Sequence, residues 1–151
     1  MITIYTIGKK HEDWVQSGIS RYEMRLQPPF DIKWELLPHS SLEGIAARQE
    51  ESERIRKRLR DDMYVVLLDE TGELLTSPAL STQLETSLSR SLPVAIVIGG
   101  AYGVDDELQA RANKIISLSK LVFPHQLVRL ILAEQLYRAQ SIARGTKYHH
   151  S

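Results

Sequence analysis

Apolar and polar positions alternate with period two over Ile2–Ile7, which predicts a first strand stopped at Gly8. From Glu12 to Leu26 the period lengthens. Trp14, Val15, Ile19, Tyr22 and Leu26 share one helical face, and Pro28-Pro29 ends it. Alternation returns at Asp31–Leu37 and closes at Pro38, before a helix over about Leu42–Arg60 whose few apolar positions predict a largely exposed element. Tyr64–Leu68 and Pro93–Ile98 are continuous aliphatic runs, as expected of strands covered on both faces. Asp69–Gly72 is expected to turn the chain after the first of these. Ser77-Pro78 then opens a helix to about Ser91, with Ser77 as its cap. Asp105 caps a short helix to about Asn113, Ile115–Leu118 is the last strand, and His125–Ala143 the final helix.

Five strands, each followed by a helix, predict an α/β domain: a mostly parallel sheet with helices on both faces, one domain spanning residues 1–151. Ligands in such sheets bind outside the carboxyl ends of the strands. That rule selects three loops: Asp69–Gly72, Gly99–Gly103 and Ser119–Pro124.

Composition narrows the class. The 151 residues carry 19 Lys+Arg against 19 Asp+Glu and no cysteine, which excludes disulfide scaffolds, Cys-based zinc sites and thiol catalysis. No apolar run is long enough to cross a membrane, and the N-terminus lacks a basic, apolar leader, so the expected compartment is the cytoplasm, without membrane or metal partners. The zero net charge conceals a division. Arg111–Ser151 holds seven basic residues and one acidic, a net +6, against −6 over the first 110. Such asymmetry points to a polyanionic partner, or to a helix with a solvated basic face.

Standard nucleotide and metal motifs are missing: there is no GxxxxGK[ST], no HExxH and no complete GxGxxG. Gly99-Gly100 directly after a buried strand allows close backbone approach and positive φ, for a ligand cradle or for a plain turn. Leu121, Val122 and Phe123 are apolar in a connection expected to face solvent, so they either pack in the core or line a pocket. The final helix has an apolar face broader than one sheet requires, consistent with a dimer contact or a deep core, with Arg129 and Arg138 off that face. The tail carries Tyr148, His149 and His150, a solvated end or a pair able to stack on a base and move a proton near neutral pH.

Taken together, Ile98-Gly-Gly-Ala-Tyr-Gly103, Leu118-Ser-Lys-Leu-Val-Phe-Pro-His125, Arg129 with Ala133-Glu-Gln-Leu-Tyr-Arg138, and Tyr148-His149 closely resemble the ribosomal RNA large-subunit methyltransferase H family of the SPOUT class. The resemblance runs from the opening strand and Gly8-Lys9 to the tail. It implies a homodimer whose region of about 64–151 is threaded into a trefoil knot. It further implies S-adenosylmethionine bound in that knot and methylation of N3 of a pseudouridine in large-subunit (23S) ribosomal RNA on the assembled ribosome. By position, Leu68, Asp69, Gly100, Ser119, Lys120, Leu121, Val122, Phe123 and Pro124 are the implied cofactor contacts, the same three loops selected above. His125 and Arg129 border the implied pocket, and Tyr148 and His149 reach it. The family tail commonly continues with Arg or Lys where this chain has His150.

Methyl transfer from a sulfonium needs alignment of donor and acceptor more than it needs a metal. The acceptor N3–H is a weak acid, so a base or a donor to the neighbouring carbonyls assists. His149 or His125 is the expected proton acceptor, with Arg129 and Tyr148 stabilising or positioning the base. Competing expectations are a SPOUT enzyme acting on transfer RNA, a non-catalytic ribosome-associated factor, and an unrelated nucleotide-binding α/β enzyme.

Overall fold

A computed structural model describes residues 1–150. The five strands β1 (Ile2–Ile7), β2 (Ile32–Leu37), β3 (Tyr64–Leu74), β4 (Val94–Ile98) and β5 (Lys114–Ser117) form one sheet in the order β2-β1-β4-β3-β5, every neighbouring pair parallel. Five helices connect or follow them: α1 (Asp13–Glu23), α2 (Gly44–Arg56), α3 (Ser77–Ser89), α4 (Asp106–Arg111) and α5 (His125–Arg144).

Pleating divides the strand side chains between two cores, because successive residues point to opposite faces. Ile2, Ile4, Val66, Val94, Ile96 and Ile98 face α3 and α5, where they meet Leu80, Leu84, Leu132 and Leu136. Tyr5, Ile7, Val65, Leu67, Ala95 and Val97 face α2 and α4, against Ile55, Val104 and Leu108. α1 lies outside α5, joined to it through Val15, Ile19 and Ala133. Both faces of β4 are therefore buried, as its uninterrupted aliphatic run requires.

Several local expectations are revised. Asp69–Gly72 does not end the strand: β3 continues to Leu74, and a register shift between Leu68 and Glu73 lets both pair with Ile116, so the four residues bulge from the ladder. Asp69 Oδ2 accepts the Thr71 N–H at 2.9 Å, which shapes the bulge. Thr76, not Ser77, caps α3, its hydroxyl accepting the Ala79 N–H. The α2 helix buries a stripe of Ala47, Glu51, Ser52 and Ile55, two of them polar, which is why apolar periodicity understated its contact with the sheet. Arg129 is not off the apolar face of α5. It is 1% exposed and shares the buried side with Leu132, Ala133 and Leu136.

Candidate active site

The carboxyl ends of β3, β4 and β5 open into a cleft of about 350 Å³. Leu68 and Asp69 come from β3 and its bulge, Gly99 and Gly100 follow β4, and Ser119, Leu121, Val122 and Phe123 follow β5, with His125 and Val128 supplied by the start of α5. Lys120 and Pro124 belong to the same loop but do not line the cleft. Leu121 and Val122, 71% and 80% exposed, pack in no core and offer an apolar wall to solvent. An apolar wall with nearby backbone and carboxylate groups suits a ligand that is part flat heterocycle and part polar chain, and the volume lies within the ordinary range for such sites.

The glycines act through close packing more than through their torsions. A Cβ on Gly99 would stand 2.8 Å from Val104 Cγ1, and one on Gly100 would overlap Glu51 Oε1. Gly103 alone of the three has positive φ. Its N–H donates to the Gly100 carbonyl at 3.0 Å and closes the turn.

His125 is partly buried at the N-terminus of α5. Burial pushes its imidazole below the ordinary range, and the charges of Arg129 and His39 push the same way; Glu51 and a hydrogen bond to the Gly99 backbone oppose them. A ring so placed is a neutral proton acceptor at pH 7. Beneath it, Arg129 donates from Nη2 to the carbonyls of Ile7 at 2.9 Å and Gly8 at 3.2 Å, and from Nη1 to that of Lys10 at 3.0 Å. Its Nη1 also lies 3.2 Å from His11 Nδ1. Arg129 thus ties α5 to the loop after β1 and presents no group to the cleft.

The tail lies elsewhere in the chain. Tyr148 donates its hydroxyl to Glu134 Oε1 at 3.1 Å, stacks edge-on against Tyr137 at 4.7 Å, and lies under the Arg138 guanidinium at 4.8 Å. His149 Nδ1 is 3.0 Å from Arg138 Nη1. Burial and the neighbouring Glu134 push the Tyr148 phenol up to about 12, so it serves as a donor and not as a base. Neither tail residue is among those lining the cleft.

Much of the C-terminal excess of basic residues is engaged by partners within the chain. Arg129 is buried, Arg138 pairs with Glu134, Lys114 pairs with Glu73, and Arg111 bonds the Arg60 and Met63 carbonyls. Exposed cations nearer the strand ends are Lys120 and, from the first loop, Lys9 and Lys10. Sequence reasoning also missed Glu51 and His39. Glu51 sits in a helix read as exposed, and His39 in a loop without a motif. Among the described residues no cluster of three or more His, Asp or Glu is arranged to hold a metal ion, and no helix is long and apolar enough to cross a membrane.

A parallel, doubly covered sheet with a glycine-turned cleft at its strand ends and no phosphate loop defines the class: an α/β protein with a cleft of small-ligand size lined in part by His125. The family described as "Predicted SPOUT methyltransferase" matches residues 1–149. Two relatives, each named "Ribosomal RNA large subunit methyltransferase H", are 40% identical (Geobacter metallireducens) and 41% identical (Geotalea daltonii) over 153 residues, covering 99% of both chains. In fold, the chain is similar to a crystal structure described as that of a methylase family protein from Neisseria gonorrhoeae, with a TM-score of 0.55 at 14% identity over 91% of this chain and 81% of that one. The chain belongs to the SPOUT methyltransferase family, and within it to the large-subunit methyltransferase H group.

Proposed function

We propose that the protein is an S-adenosylmethionine-dependent methyltransferase that modifies N3 of a pseudouridine in large-subunit ribosomal RNA, acting on the assembled ribosome. The observation that carries the reading is the convergence of three strand-end loops on one cleft, with a neutral histidine in its wall. The names of the relatives support the RNA substrate. When bound, S-adenosylmethionine supplies a methyl group on a positively charged sulfur, and its transfer to N3 leaves a neutral thioether while the N3 proton is released. The chain's own residues do the rest. The Leu121-Val122-Phe123 wall and the Gly99-Gly100 backbone would hold the cofactor's apolar and flat part, and Asp69 would offer a carboxylate to its polar groups. His125 takes the acceptor proton. Arg129 positions His125 from below by fixing the start of α5.

The tail enters this reading through a second copy. Leu127, Leu130 and Ile131 are half buried and form, with Gly18 and Tyr22 of α1, an open groove along the outer side of α5. A homodimer paired across it with the α5 helices antiparallel sets the His125 end of one helix beside the Arg138 end of its partner, because about 20 Å of helix separates the two positions. Tyr148 and His149, held at Glu134 and Arg138, then come to the partner's cleft. The trefoil threading of the C-terminal region belongs to the same proposal.

The deciding experiment measures methyl incorporation into purified ribosomes, free large-subunit RNA and bulk transfer RNA, with mass spectrometry of the product nucleoside. Incorporation into ribosomes as an N3-methylated pseudouridine is expected. Truncation before Tyr148 is expected to abolish transfer while calorimetric affinity for S-adenosylmethionine stays within about twofold, since the cleft is built without the tail. Preferential labelling of transfer RNA would overturn the substrate assignment.

A further inference from the structure

Glu51 is a buried carboxylate that the mechanism above leaves unused. It is 4% exposed and reaches from α2 to the underside of the Gly99-Gly100 turn. Oε2 accepts the Ser40 N–H at 3.0 Å and lies 3.8 Å from His39 Nδ1. Oε1 has no hydrogen-bond partner and is the atom that a Cβ on Gly100 would overlap. A buried carboxylate oxygen without a donor is costly, and clusters of this kind gather at functional sites. Gly100 separates it from the cleft, so one face of this glycine meets the ligand space and the other meets the carboxylate. His39, mostly exposed, stands between Glu51 and solvent, its Nε2 close to Gly8.

We propose that Glu51 is a positioning residue for proton transfer in this cleft, with His39 as its partner at the rim. This rests on the methyltransferase reading. The N3–H proton moves to a ring nitrogen of His125, the bonding pair stays on the base nitrogen, and His125 becomes an imidazolium. That cation forms where burial and Arg129 oppose it. The groups whose charge or dipole bears on it are Arg129 on its own helix, His39 after β2, Glu51 on α2 and the Gly99 backbone after β4, while Asp69 and Glu70 line the same cleft from the β3 bulge. His11 lies one step further, against Arg129. Glu51, across Gly100 from the cleft that His125 lines, is the carboxylate that supports the imidazolium, and the proton then leaves to water from the open cleft.

The test is imidazole titration by NMR in the full-length protein, without cofactor or RNA, alongside methyl-transfer kinetics. Glu51→Gln keeps the shape and an acceptor for Ser40 while removing the charge. It is expected to lower the His125 midpoint by about half a pH unit or more and to reduce kcat at pH 7 about tenfold, with S-adenosylmethionine affinity within about twofold. His39→Asn, at an exposed position that leaves folding intact, is expected to move the His125 midpoint the opposite way, upward. An unchanged His125 midpoint in both variants overturns the proposal. A wild-type protein that transfers no methyl to ribosomes, yet shows both titration shifts, overturns the methyltransferase reading and leaves the coupling of Glu51 to His125 standing.

Discussion

At the scale of single residues, the site depends on polar groups buried close to one another. Arg129 is the largest fully buried side chain, and burial pushes its guanidinium down without removing its charge at any ordinary pH. The Lys10 carbonyl also accepts from Gln126 Nε2 at 3.2 Å, but Arg129 is the side chain that donates to the carbonyls of Ile7 and Gly8. Arg129→Ala is therefore expected to cost about 3 kcal/mol in urea unfolding, because the carbonyls of Ile7, Gly8 and Lys10 lose a buried partner. A loss within the scatter of surface substitutions would mean that Arg129 is not the tie between α5 and the first loop. Gly8 explains why that tie exists. It has φ of +114°, and a Cβ there would stand 2.7 Å from Arg129 Nη2, so neither torsion nor space admits a side chain.

At the scale of elements, α5 has two roles on two sides. Leu132, Leu136 and Ala139 bury it against the sheet, while Leu127, Leu130 and Ile131 face the open groove beside α1. The breadth of its apolar face is thus divided between a core and a surface, and the surface is the one that the proposed homodimer would cover. Ile131→Glu is expected to yield a folded monomer by analytical ultracentrifugation and to lose most methyl transfer, since a charge desolvated in an apolar contact costs several kcal/mol. A dimer as stable as that of the wild type would place the contact elsewhere. The β3 bulge also shapes the site, because pairing on either side of Asp69–Gly72, at Leu68 and again at Glu73 and Leu74, holds Leu68 and Asp69 at the cleft.

At the scale of the whole molecule, a buried and a partly buried histidine couple folding to pH. Burial, then Arg129, depresses His11; burial, then Arg129 and His39, depresses His125. Both bind protons more readily unfolded than folded, so stability is full above the unfolded value of about 6.5 and is lost as pH falls through the depressed folded values. The urea midpoint is expected to hold steady from pH 8 to 7 and to fall between about pH 6.5 and 5. His11→Asn should flatten part of that decline, and a midpoint constant down to pH 5 would contradict the coupling.

The chain's periodicity by itself determined the strand and helix count, the parallel sheet and the three loops that converge, because period two, period 3.6 and glycine-rich strand ends are local properties of the backbone. The resemblance to the family implied His125 at the pocket, while the pattern alone left Leu121–Phe123 open between core and pocket wall. Tertiary structure alone decided which charges remain at the surface, that Arg129 is buried, that Glu51 lies beneath Gly100, and that Tyr148 and His149 rest on Glu134 and Arg138 away from their own cleft. A charge count along the chain carries no information on burial, since whether a guanidinium meets solvent or a ring of carbonyls depends on residues more than a hundred positions away.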